Sequence, residues 1–216
     1  MSFFEKVIGR GQLVWDECAN TAFVRELHSG CLSDERFRKY LIEDSIYLTD
    51  FARVIGGAIH HAGSLDDIQM YYSVLSFVSG TECESRRAYL AQFGLTDNDV
   101  ARMEAAEENR RYSDFLKRIV QDGDEREILM AVLPCVLSYS YIFRRIVKIP
   151  GYETSKYRKF IEEYASDAYA ENCRCWREYA ERKCSDLTAE EKEKLVGIFE
   201  SSCRMELAFW QMVYDV

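Results

Sequence analysis

Apolar residues recur at three- and four-residue steps along almost the whole chain, and that spacing predicts helices rather than strands. The clearest stripe runs through SDERFRKYLIEDSIYLTDFARVIGGAI, where Phe37, Tyr40, Leu41, Tyr47, Leu48, Phe51 and Ile55 share one face. Another joins Leu195, Ile198, Phe199, Phe209, Trp210 and Val213. The pattern predicts helical segments at about 3–18, 20–29, 34–62, 65–92, 97–121, 124–148, 156–182 and 188–214, about seven of them long. Ser33, Ser64, Thr96 and Thr188 stand where N-caps belong. FGLT at Phe93–Thr96 reads as a helix end with Gly94 as C-cap, and IPGYE breaks the chain again at Pro150-Gly151. There is no internal repeat and no linker, so the expectation is an all-α fold in one domain over residues 1–216.

Composition narrows the class. Of 216 residues 48% are hydrophobic and 13% aromatic, as in a globular protein with a sizeable core. The net charge is −9, and the pairs Arg110-Arg111 and Arg144-Arg145 are too short for a nucleic-acid footprint. MSFFEKVIGRGQ lacks the basic start and apolar run of a secretory signal. No apolar run is expected to approach the ~18 residues of a membrane span. With no signal peptide, the eight cysteines read as reduced thiols of a cytoplasmic protein with no membrane or nucleic-acid partner.

Candidate chemistry appears where polar residues interrupt apolar faces. Asp44 falls within the first stripe and Glu206 within the second. A buried carboxylate needs partners or stays protonated, so each fits either a hydrogen-bonded network joining helices or a functional pocket. The segment 124–148 is apolar nearly all round and should be the most buried helix, yet it contains Pro134 followed at once by Cys135. A proline inside a helix costs about 3 kcal/mol unless the fold uses the kink. Cys135 and Tyr139 share a face, and Tyr112 and Tyr164 also lie on apolar faces. The two carboxylates and the proline-adjacent thiol together point to a polar pocket in the core. Cys173 and Cys175 diverge around a helix, as do His60 and His61, and no E-x-x-H pair or glycine-rich phosphate loop is present. Neither a metal nor a nucleotide cofactor is expected.

YLIEDSIYLTDFARV (40–54), LPCVLSYSYI (133–142), YRKFIEEYAS (157–166) and MELAFWQMVYD (205–215) resemble, in order and approximate spacing, the landmarks of the TenA/thiaminase II family. The resemblance covers essentially the whole chain. It implies a heme-oxygenase-like helical bundle, a homotetramer, and hydrolysis of thiamin-derived aminopyrimidines. The 5-aminomethyl compound would go to its 5-hydroxymethyl counterpart, and thiamin itself would be cleaved. By motif, Cys135 matches the family nucleophile, Glu206 the catalytic acid/base, and Asp44 the carboxylate that holds the pyrimidine. Tyr47 and Tyr164 match ring-packing aromatics, and Tyr112 and Tyr139 match hydroxyls around the thiol and substrate. The chain resembles the cysteine-containing branch. It departs from the family pattern at Ser45, where an aromatic is common, and at Arg86 in ECESRRAY, where a histidine is common. The latter bears on substrate preference.

The chemistry asks for these residue types. Adding a thiolate to an electron-poor ring carbon breaks aromaticity and lets a 5-methylene substituent leave, which needs a nucleophile and a proton shuttle. An ionised carboxylate can hold the amino edge of the ring. No metal or organic cofactor is required. Two rivals remain at this level: a bundle that binds a pyrimidine or other small aromatic without turnover, and an oxidase on the same fold.

Overall fold

The computed structural model describes residues 2–215, the side chains of Thr81, Glu82 and Cys83 excepted. One of the eight cysteines, and the first two residues of ECESRRAY, thus lie outside the described side chains. Among the described residues there are eleven α-helices, one 3-10 turn and no strand. They are α1 (Phe3–Ala19), α2 (Ala22–Ser29), α3 (Asp34–His61), α4 (Leu65–Ser79), α5 (Thr81–Gln92), α6 (Asp97–Val100), α7 (Glu107–Asp122) and α8 (Glu125–Ile146). The 3-10 turn Tyr152–Thr154 follows, then α9 (Arg158–Ala165), α10 (Asp167–Lys183) and α11 (Ala189–Met212).

The expected caps are in place. Ser33, Ser64, Thr96 and Thr188 each accept a hydrogen bond from the backbone N–H three residues on, and the last two form full capping boxes. Gly94 is left-handed at φ 68°, and Leu95 N–H returns to the Leu90 carbonyl at 3.1 Å, which closes α5 in the manner of a Schellman end.

Three long segments read from the sequence are each two helices. The segment 65–92 breaks at Gly80, where a Cβ would meet the Ser76 carbonyl oxygen at 2.7 Å. In 97–121, Thr96 caps only the four-residue α6, and α7 starts anew at Glu107. The Ala106 N–H at that second start reaches the Glu43 carboxylate at 3.1 and 3.2 Å, which supplies an acceptor that the local sequence lacks. The segment 156–182 breaks at Ser166, whose hydroxyl accepts from Tyr169 N–H at 3.2 Å and starts α10.

Contacts divide the chain into two compact units. Unit 1 contains the residues up to Leu32 together with Leu129–Tyr214, and unit 2 is Ser33–Ile128 with Asp215. In unit 1, α1 packs along α11 and touches α10 and α2, α11 also meets α2, and α9 meets α10. In unit 2, α3 is the centre and packs against α4, α5, α6 and α7. Gly57 on α3 is a close-approach point, because a Cβ there would overlap Val120 of α7.

The helix α8 is as buried as its composition requires. Ile128, Leu129, Met130, Val132 and Leu133 are closed off from solvent. By length and apolar content it could cross a membrane, contrary to the expectation that no run would. However, 83% of its most apolar stretch is buried inside the protein, as for a core helix. The chain stays α-helical through Pro134.

Candidate functional site

The sequence-derived candidates fall into two groups, one in each unit. In unit 1, Cys135 follows Pro134 on α8 and is half-buried. Ser138 and Tyr139 lie one turn further along the same face. The fully buried Ser138 hydroxyl donates to Glu206 Oε2 at 3.4 Å, and Glu206 on α11 is only 3% exposed. The Ser138 hydroxyl thus ties the Glu206 carboxylate to the α8 face that bears Cys135.

Burial drives the chemistry of the surrounding thiols. Desolvation pushes the thiols of Cys18 and Cys203 far above the ordinary range, and the Glu206 charge pushes them in the same direction. Cys173 rises to about 12, mainly by desolvation, and its Sγ donates to the Val136 carbonyl at 3.3 Å. These three remain protonated, inert core groups at neutral pH. Among the described cysteines none is in a disulfide, and Cys135 is more open than Cys18, Cys173 or Cys203.

Side chains also tie down the backbone around Pro134. The proline has no N–H for the Met130 carbonyl one turn back. One position on, the Ala131 carbonyl accepts from the Ser202 hydroxyl of α11 at 2.7 Å. The Val136 carbonyl additionally accepts from Tyr169 of α10 at 3.4 Å. A wall of rings closes the group. Tyr139 lies 4.8 Å from Tyr164 and 5.2 Å from Trp210, and Tyr164 contacts Phe143, Phe160 and Tyr169.

In unit 2, Asp44 on α3 is 7% exposed, one turn before Tyr47. Tyr47 stacks on Tyr112 of α7, with centroids 4.9 Å apart, and on Phe51 at 5.6 Å. Beside Asp44, Glu43 is equally buried. Its carboxylate takes the Ala106 N–H and the Asn109 amide at 2.7 Å, and its carbonyl takes the same amide at 2.8 Å. Ser45, the departure next to Asp44, points its hydroxyl at the Leu41 carbonyl, 2.5 Å away, within its own helix. Arg86, the second departure, pairs with Asp97 at 3.7 Å, as Arg87 does at 2.5 Å.

Ser138, Ser202, Trp210 and the Glu43–Asn109 pair were not singled out from the sequence as site residues. Two of these carry a signal that could have found them: Ser138 is a polar residue on the Cys135 face of a largely apolar helix, and Ser202 falls within the same apolar stripe as Glu206. Among the described residues no three His, Cys, Asp or Glu side chains converge as a metal site would need.

Comparison with known proteins gives this geometry its context. The chain is 28% identical over 216 residues to the aminopyrimidine aminohydrolase of Halalkalibacterium halodurans, covering 100% of this chain and 96% of that one. It superposes with a TM-score of 0.89, at 22% identity, on a solved structure described as a TenA family transcription regulator from Silicibacter, covering 100% and 97% of the two chains. A Shewanella denitrificans domain with a heme oxygenase-like fold matches at a TM-score of 0.75 and 15% identity, covering 97% and 91%. The all-helical fold is therefore heme-oxygenase-like, as the sequence landmarks implied. The family model TENA/THI-4/PQQC matches residues 10–216, and the chain belongs to that family.

Proposed function

We propose that the chain is a cofactor-independent aminopyrimidine aminohydrolase of thiamin salvage, with Cys135 as nucleophile and Glu206 as proton shuttle. One observation carries the reading: the Ser138 hydroxyl joins the buried Glu206 carboxylate to the α8 face that bears Cys135. The name of the Halalkalibacterium relative supports the substrate class.

In the proposed reaction the Cys135 thiolate adds to an electron-poor ring carbon of a 5-aminomethylpyrimidine, and a ring nitrogen takes up a proton. The C–N bond then breaks. Glu206 delivers a proton to the departing amine, which leaves an exocyclic methylene. Water adds to that carbon, and Glu206 takes back the water's proton. The ring nitrogen loses its proton as the C–S bond breaks, so aromaticity returns. The balance is aminomethylpyrimidine plus water giving hydroxymethylpyrimidine plus ammonia, and thiamin would lose its thiazole in the same way.

Tyr139 and Tyr164 supply rings and hydroxyls near the thiol. For Asp44, Tyr47 and Tyr112 the proposed role is to hold the amino edge of the pyrimidine and pack its ring, by chemistry and resemblance. A homotetramer in the cytoplasm, each chain one TenA-like domain over residues 1–216, completes the proposal.

The test is Cys135→Ser. The change is nearly isosteric, so circular dichroism should be unaltered while kcat falls at least ~100-fold, about 2.7 kcal/mol of transition-state stabilisation. An active Cys135→Ser protein would remove the covalent mechanism. Pyrimidine binding without turnover in the native protein would instead favour a non-catalytic binder.

A further inference from the structure

A concavity lies in unit 1, on the side of α8 away from Cys135. Successive helical residues are about 100° apart. Leu137, Ser140, Tyr141 and Arg144 therefore face opposite to Cys135, Ser138 and Tyr139. With parts of α1 and α10 they line a cleft of about 760 Å³, which contains neither Cys135 nor Glu206. That volume is within the ~300–1,000 Å³ usual for small-molecule sites.

The carboxylates that line the cleft all lie toward one end. The contacts Cys173–Val136 and Arg144–Asp167 show that α8 and α10 run antiparallel, which sets the order of groups along it. At one end lie Glu5, Glu178 and Glu181 together with Arg174 and Arg177, and each carboxylate there is already engaged, Glu5 and Glu181 by Ser2 and Glu178 by Arg174. At the other end lie Arg144, Arg145 and Lys148. There Arg145 is paired with Asp16. Arg144 bonds Asp167 at 2.8 Å, but that carboxylate is 99% exposed and holds it weakly. Among the described residues Lys148 has no carboxylate within bonding distance. Next to this basic end the wall is apolar. Trp15 and Tyr141 have ring centroids 5.5 Å apart, and Ile8 and Leu137 continue the surface.

Cations at the end of a helix complement its dipole, which explains Arg144 and Arg145 without a ligand. It does not explain an unpaired Lys148 beyond the helix end, beside an aromatic wall, in a chain of net charge −9. We infer that this cleft is a second small-molecule site, for a soluble organic anion with a flat apolar ring and a phosphate or similar head. Arg144 and Lys148 take the head, and Trp15, Tyr141 and Leu137 take the ring.

Phenyl phosphate and inorganic phosphate are the probes, titrated calorimetrically into the full chain. Phenyl phosphate should bind once per chain and about ten-fold more tightly than inorganic phosphate, the difference a partly buried ring supplies. Lys148→Glu and, separately, Arg144→Gln should each weaken it about ten-fold or more. Circular dichroism and basal turnover should be unchanged. Saturating hydroxymethylpyrimidine should not displace the probe. No binding to the native chain, as when a second copy of the chain covers the cleft, overturns the inference. So does unaltered affinity in Lys148→Glu, displacement by the pyrimidine, or inorganic phosphate binding as tightly as phenyl phosphate.

Discussion

At the scale of single residues, the informative contrast is between the two stripe carboxylates. Glu206 has the Ser138 hydroxyl on one oxygen and the protonated Cys203 thiol one turn before it on α11. It sits where a proton can be passed along the Cys135 face. Asp44 sits a turn before the stacked Tyr47–Tyr112 pair in the other unit. Glu206→Gln keeps the shape and cannot shuttle a proton, so kcat should fall strongly while hydroxymethylpyrimidine still binds. Asp44→Asn turns half of an acceptor edge into a donor and should weaken that binding as well as turnover. Calorimetric binding of the product measures both. Lost binding in Glu206→Gln with intact binding in Asp44→Asn would reverse the roles. Both carboxylates were legible in the sequence because each interrupts an apolar stripe. Glu43 was not, since it lies off the stripe of α3. It is buried because a helix start elsewhere in the chain needs its oxygens. Periodicity reports faces and is silent about which backbone N–H a side chain will find.

At the scale of elements, the helices were legible and three of their breaks were not. The caps at Ser33, Ser64 and Thr188 were readable because side-chain capping is local. Ser166 also caps locally, but it stands inside a continuous apolar pattern that masks it. The start of α7 leans on Glu43, which no local reading contains. Close packing between elements is equally invisible in periodicity, and Gly57 is the case to test. In an isolated helix Gly57→Ala would gain about 1 kcal/mol of propensity. Here the new methyl overlaps Val120, whose branched side chain has little rotamer freedom on α7. Overpacking costs of about 1–3 kcal/mol should win, and urea unfolding should show a net loss. Val120→Ala added to Gly57→Ala should restore part of it. A stabilised single variant would mean that α7 yields without cost.

At the scale of the whole molecule, the proposed homotetramer makes a direct demand on the surface. Leu13, Leu65, Tyr72 and Ile149 are large apolar side chains left exposed on the single chain, and association would cover such groups. Sedimentation velocity at micromolar concentration should give a species of four chains, and a boundary with only the monomer's mass would exclude it.

The pairing of α1 with α11 has a consequence for the order in which the protein is made. Unit 2 is nearly continuous in the chain, whereas unit 1 is assembled from two stretches separated by it. On the ribosome, at about 5–20 residues per second, α1 emerges early and waits for almost everything else to be translated. Meanwhile the face carrying Val7, Ile8, Val14 and Trp15, buried in the finished protein, has no α11 to cover it. Until α11 is made, that face of α1 is an apolar surface open to a chaperone. Glu206 is itself on α11, so a chain stalled before that helix has nearly all of unit 2 and, in unit 1, the Cys135 thiol, but no carboxylate beside Ser138.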